Sequence, residues 1–170
     1  MPLHSRIAAT ILFVIFSLSG CVSNSQKITT FAVNVERDRS NLVRKEIDLP
    51  NGLHYAYLEG GHGEPLLLVH GFGGNKDNFT RVARLLTPHY RVIVPDQIGF
   101  GESAHPQDAD YTPAAQAKRL RSLMQALDIK TGHLGGNSMG SATALSSAPP
   151  YPTEVPIPGL PDSAANCNDT

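Results

Sequence analysis

Gly136-Asn137-Ser138-Met139-Gly140 is entered by Gly132-His133-Leu134-Gly135 and left by Ser141 to Leu145. The incoming segment reads as a short strand and the outgoing one as a helix start. A G-x-S-x-G element in that context is a nucleophile elbow, a strand-to-helix turn that lifts a serine hydroxyl clear of its neighbours. The flanking glycines follow from the turn, which leaves no room for side chains and strains the backbone. Ser138 is therefore the candidate nucleophile.

Two upstream segments sharpen this reading. His70-Gly71-Phe72-Gly73-Gly74 follows the apolar run Leu66-Leu67-Leu68-Val69, a buried strand opening into a glycine-rich loop. Such a loop beside the elbow can aim the Phe72 N–H at a developing oxyanion, and the second donor is the N–H of Met139, the residue after the nucleophile. Asp96-Gln97-Ile98-Gly99-Phe100-Gly101-Glu102-Ser103 follows a second apolar strand, Tyr90 to Val94, and reads as the loop leaving it. Taken alone, Ser138 could equally be a polar residue in a glycine turn; the three segments in order favour the nucleophile. The Phe72 and Met139 side chains are expected to pack or to line an acyl site. Asp96 reads as a structural cap at a strand end rather than a catalytic acid. The glycines at 71, 73 and 74 do not make a phosphate loop, because Lys76 falls where the third glycine of G-x-G-x-x-G would stand. No cluster has zinc-ligand spacing, and neither metal nor cofactor is expected.

In this order and spacing the three segments resemble the α/β-hydrolase fold, over roughly 44–145. The run Gly63-Glu64-Pro65-Leu66-Leu67-Leu68-Val69-His70-Gly71-Phe72-Gly73-Gly74-Asn75-Lys76-Asp77-Asn78-Phe79-Thr80-Arg81 resembles the bacterial lipase/esterase group typified by Moraxella and Psychrobacter lipases, as does Gly135 to Gly140. The resemblance implies the N-terminal portion of a mostly parallel sheet with helices on both faces, and hydrolysis of a lipid or small carboxylic ester through an acyl-enzyme on Ser138. Pattern and spacing alone support only a serine hydrolase. Two alternatives stay open: a non-catalytic envelope lipoprotein that keeps only part of the fold, and the same fold acting on a non-ester substrate, such as a carbon–carbon bond.

The chain has 170 residues, 41% hydrophobic and 17% charged, with a formal net charge of −1. That balance suits one globular core and leaves no electrostatic footprint for a nucleic acid. Oligomeric state is not legible. Arg6 followed by the apolar run Ile7 to Leu18 reads as an export signal over 1–20, since a spanning helix takes about 20 residues. The run ends in Leu18-Ser19-Gly20-Cys21, which resembles a bacterial lipobox. Cys21 is thus a candidate lipidation site, placing the protein on a lipid anchor in the cell envelope. Val22 is not the aspartate that retains such proteins in the inner membrane, so the outer membrane is expected. With Cys21 acylated, Cys167 has no partner for an internal disulfide.

Residues 21–41 read as a polar tether and 42–148 as a partial α/β-hydrolase domain. Leu42 to Leu49 and Leu53 to Glu59 predict two strands of a hairpin turning at Pro50-Asn51-Gly52. Phe79, Val82, Leu85 and Leu86 have helical spacing within Asp77 to Leu86. Thr112 with Pro113 predicts a capped helix to about Leu127, its apolar face including Leu120, Leu123, Met124 and Leu127.

A serine hydroxyl needs a base to take its proton. The family resemblance implies a histidine and a carboxylate that both follow the serine in chain order. All seven histidines, His4, His54, His62, His70, His89, His105 and His133, precede Ser138. The catalytic histidine and acid are therefore not identifiable. His70 is near the site but reads as a shaper of the oxyanion loop. Large single-domain folds commonly take roughly 200–250 residues, so the chain is expected to be truncated and weakly active or inactive as it stands. Six of its thirteen prolines lie in 149–170, an aberrant proline-rich tail. There Tyr151-Pro152-Thr153-Glu154-Val155 and Asp162-Ser163-Ala164 keep the family's order. Pro156, Pro158 and Pro161 fall where it has a buried strand, which proline excludes. A decayed or misread gene end is the expectation.

Overall fold

The computed structural model describes residues 27–147. The segment read as an export signal, Cys21 and the segment read as an aberrant tail lie outside the described residues.

A first helix, α1, covers 27–39. Then come β1 (Leu42–Asp48), β2 (His54–Gly60), β3 (Glu64–Val69), a single 3-10 turn (Lys76–Phe79), α2 (Thr80–Leu86), β4 (Tyr90–Pro95), α3 (Pro113–Ala126), β5 (His133–Gly136) and α4 (Met139–Ser147). The strands form one sheet in the order β1-β2-β4-β3-β5. β2 is antiparallel to both β1 and β4, whereas β3 is parallel to β4 and to β5. Only β2 therefore runs against the other four, and the sheet is mixed but mostly parallel.

The apolar runs explain why both faces are covered. Leu67, Val69, Ile93, Tyr55 and Tyr57 point to one side, where Leu120 and Leu123 of α3 and Ile129 close a core. Leu58, Leu68, Val92 and Val94 alternate to the other side and meet Ala83 of α2, with Phe79 and Leu86 beside it. Near-continuous apolar strands are what a sheet buried on both faces requires. The α3 start is as the sequence predicts: Thr112 caps it by accepting from the Ala115 N–H at 3.3 Å, with proline just inside.

Two stretches differ from their sequence reading. The segment read as a tether is helical over 27–39, and its end is fastened to the fold. Arg37 forms a two-pronged ion pair with Asp77, both contacts 2.7 Å, and the buried Ser40 hydroxyl donates to the Thr80 carbonyl at 2.6 Å. The helical spacing read from Phe79 to Leu86 is also resolved differently. Asn75 caps a 3-10 turn, and α2 begins only at Thr80. The face turned to the sheet is Phe79, Ala83 and Leu86, at steps of four and three, while Val82 and Leu85 are 43% and 68% exposed.

The chain leaves β3 toward β4 on one side, then returns across the sheet to β5 on the other. Strand order therefore reverses at β3, and in open α/β sheets the crevice at such a switch point is where ligands bind. The loops leaving β3 and β5 meet there.

Candidate active site

β5 ends at Gly136 and α4 begins at Met139, so Asn137 and Ser138 alone make the turn. Ser138 sits at φ 52, in the left-handed region. For a residue with a side chain this costs about 1–2 kcal/mol. The surroundings hold it there. The Ser138 carbonyl accepts from the Ser141 N–H at 2.9 Å, the Ser141 hydroxyl donates to the Gly136 carbonyl at 2.8 Å, and the Asn137 N–H donates to the Val69 carbonyl at 3.2 Å. Gly140 shows why the motif needs glycine: a Cβ there would lie 2.0 Å from the Val69 carbonyl oxygen. A Cβ on Gly136 would lie 2.5 Å from the Gly140 carbonyl carbon. The helix thus starts in backbone contact with β3, and the serine is pushed outward. Ser138 is exposed, and its hydroxyl makes no hydrogen bond among the described residues.

The loop after β3 closes on the same point. A Cβ on Gly71 would come within 3.1 Å of the Ser138 Cβ and 3.2 Å of the Asn137 carbonyl oxygen. The next residue is Phe72. The structure thereby brings the Gly71 backbone against Asn137 and Ser138, one residue before Phe72 in one loop and one before Met139 in the other. Neither the Phe72 nor the Met139 N–H donates to an acceptor among the described residues. The Phe72 ring is 81% exposed and meets Phe100 edge-on at 5.5 Å, and Phe100 in turn meets His70 at 5.7 Å.

His70 is fully buried with both ring nitrogens engaged. Nδ1 donates to the Gly71 carbonyl at 2.7 Å, and Nε2 accepts the Gln97 N–H at 3.0 Å. That pair of bonds fixes a neutral ring. Burial holds the imidazole pKa below its ordinary value, opposed by the Gly71 carbonyl and the Asp96 charge. His70 shapes the loop after β3 and has no nitrogen free to take a proton from Ser138. His133 stands at the opposite end of β5, paired with Glu64 at 2.9 Å.

Asp96 is a cap, as its place at a strand end suggests. Its carboxylate accepts from the Lys76 N–H at 2.6 Å, the Lys76 ammonium at 2.8 Å and the Glu102 N–H at 2.8 Å. Lys76 reaches Glu102 as well, at 3.0 Å, and Arg44 holds Glu102 from outside. Burial alone would raise the Glu102 carboxyl, but these two cations hold it below the usual carboxylate range. The network ties the loops after β3 and β4 together. Beside it the Gln97 carboxamide donates to the His70 carbonyl at 2.6 Å and accepts from the Thr143 hydroxyl at 3.2 Å, and Lys76, Gln97 and Thr143 are residues the sequence did not single out. Each acts through a partner remote in the chain, and no local pattern marks it. Among the described residues no group of histidine, cysteine, aspartate or glutamate is arranged to hold a metal ion.

A mixed sheet with this strand order, carrying a serine elbow at its switch point, defines an α/β hydrolase. The chain matches the alpha/beta hydrolase fold family over residues 64–156 and belongs to it. It is 47% identical over 163 residues to Lipase 1 of Psychrobacter immobilis, a match covering 88% of this chain and 50% of that lipase. It is 46% identical over 166 residues to Lipase 3 of Moraxella sp. strain TA144, covering 90% and 51%. Among solved structures, a bacterial membrane phospholipase A superposes with a TM-score of 0.72 at 36% identity, over 84% of this chain and 47% of that one. A putative lipase from Acinetobacter baumannii AYE superposes with a TM-score of 0.66 at 37% identity, over 70% and 40%. The chain spans about half the length of the curated relatives it matches.

Proposed function

We propose that this chain carries the nucleophile and oxyanion portion of a carboxylic ester hydrolase of lipase type. The observation that carries the proposal is Ser138 held at φ 52 between the Phe72 loop and the start of α4. As its hydroxyl gives up the proton to a base, Oγ adds to the ester carbonyl carbon, and the carbonyl oxygen takes up the electron pair. The Phe72 and Met139 N–H groups, free of other acceptors among the described residues, receive that oxyanion. Collapse of the adduct passes that proton from the base to the leaving oxygen, expels the alcohol and leaves an acyl-enzyme, which water hydrolyses to the acid and free Ser138. One such donor contributes on the order of 10²–10³ in rate. The exposed Phe72 ring, edge-on to Phe100, offers an apolar face for an acyl chain on the loop that meets Ser138.

No described residue accepts a hydrogen bond from the Ser138 hydroxyl, and His70, with both ring nitrogens engaged, is committed to the fold. The ester reading is favoured over carbon–carbon hydrolysis by the two lipases, whose identity and span exceed those of the 36%-identical hexadienoate-type hydrolase from Metapseudomonas resinovorans. The pattern Leu18-Ser19-Gly20-Cys21 supports a lipid anchor at Cys21 and residence in the cell envelope, at the outer membrane. Turnover of p-nitrophenyl esters, compared with Ser138→Ala, tests the reaction. Loss in the variant supports it, and turnover that survives the variant removes Ser138 from the mechanism.

A further inference from the structure

We infer that Gln97 is a positioning residue, a strut that sets the distance between the two main-chain donors. The inference rests on the reading of Ser138, Phe72 and Met139 given above.

Gln97 is 3% exposed, directly after Asp96. Its carboxamide spans the gap between the loop after β3 and the helix after the elbow. The Nε2 donates to the His70 carbonyl at 2.6 Å, and the Oε1 accepts the Thr143 hydroxyl at 3.2 Å. The polarity of this chain is fixed. A carbonyl only accepts, so the NH₂ must face His70 and the oxygen must face Thr143. Thr143 and His70 are themselves buried, so neither end can exchange its bond for water.

The two anchor points sit close to the two donors. His70 lies two residues before Phe72. Thr143 lies four residues after Met139, about one turn along α4. The base of the strut does not move freely either, since Asp96 is held by Lys76 and Glu102 and its own N–H donates to the Ala56 carbonyl at 2.9 Å. The Gln97 N–H to His70 Nε2 bond adds a second tie on the loop side. The loop and the helix start already touch, with Gly140 against the Val69 and His70 carbonyls and the Asn137 N–H on the Val69 carbonyl. The carboxamide adds a buried side-chain tie one turn further along α4, and a misplacement of about 1 Å in such a site costs about 10²-fold in rate.

Two variants of the whole chain test this, Gln97→Met, which keeps length and removes both polar atoms, and Thr143→Val, which removes only the helix-side bond. Amide hydrogen exchange is followed at Gly74, whose N–H donates to the Gly71 carbonyl at 3.1 Å, and at Gly140, whose N–H donates to the Asn137 carbonyl at 2.9 Å. Gln97→Met is expected to speed exchange at both by about tenfold while Gly52 in the β1–β2 turn is unchanged; Thr143→Val speeds Gly140 alone. In fluorophosphonate modification of Ser138 with imidazole added as the proton acceptor, Gln97→Met lowers the maximal rate about 10- to 100-fold with the half-saturating reagent concentration within about twofold, and an unchanged maximal rate counts against the strut. Unchanged exchange at either Gly74 or Gly140 in Gln97→Met overturns the inference, as does an equal rise at Gly52. Ser138→Ala run in parallel separates the two readings: if it leaves ester turnover intact, the nucleophile assignment falls, and the exchange data still decide the strut.

Discussion

Gln97 and His70 are joined twice, by the Gln97 N–H to His70 Nε2 at 3.0 Å and by the Gln97 carboxamide to the His70 carbonyl at 2.6 Å. The residue that a sequence search for a base would nominate beside the nucleophile is thereby converted into framework. Its ring is neutral, buried and saturated with partners.

A pH dependence follows from that burial. The folded pKa of His70 lies below its ordinary value, so near neutral pH the unfolded chain binds the extra proton first. Stability contributed by the neutral ring is fully present above the unfolded value of about 6.5 and is lost as pH falls through the folded one. Denaturation midpoints measured from pH 8 down to pH 5 should decline, and the decline should be shallower in His70→Asn. An identical slope in the variant would assign the effect elsewhere.

Lys76 and Asp96 form a buried pair whose members depend on each other. Lys76→Met leaves the Asp96 carboxylate with only its two backbone donors, and removing one partner of a buried ion pair costs about 3–5 kcal/mol. Urea titration should show a loss at the low end of that range, because those two N–H bonds remain. A loss under about 1 kcal/mol, the size expected of a surface pair, would contradict the burial.

The backbone of Ser138 makes a prediction that is independent of catalysis. Ser138→Gly and Ser138→Ala both delete the hydroxyl, but only glycine relieves the positive φ. Ser138→Gly should be more stable than Ser138→Ala by about 1 kcal/mol. Equal midpoints would mean the elbow is not strained. Gly140→Ala, which drives a methyl group into the Val69 carbonyl, should instead destabilise by about 1–3 kcal/mol or more.

The anchor proposal has its own check. Cells fed a radiolabelled fatty acid should label the protein and hold it in the membrane fraction, and Cys21→Ala should lose both. Labelling that survives the substitution would remove Cys21 as the site.

What the sequence revealed and what it hid divide along one physical line. The elbow, the glycine-rich loop and the Thr112 cap were legible because each is specified by neighbours within five residues. The strands were legible because burial on both faces forces a continuous apolar run, as in Leu66 to Val69. α1 was not, because its polar end is stabilised by Asp77, forty residues from Arg37. The α2 face was misjudged because Ala83, a small residue, takes the buried position while the larger Val82 and Leu85 stay in water. Lys76 was noticed only as a residue standing where a phosphate loop would need glycine; its partner Asp96 is twenty residues on. Gln97 carried no local signal at all, since its role exists only once three loops have met.

Covalent modification at Ser138 tests the central claim most directly. The purified chain is incubated with a fluorophosphonate, with and without added imidazole as an external proton acceptor, and the adduct is mapped by mass spectrometry. The account predicts slow modification confined to Ser138, accelerated by imidazole and absent in Ser138→Ala. Modification spread over other serines, or none at Ser138 even with imidazole present, would contradict it.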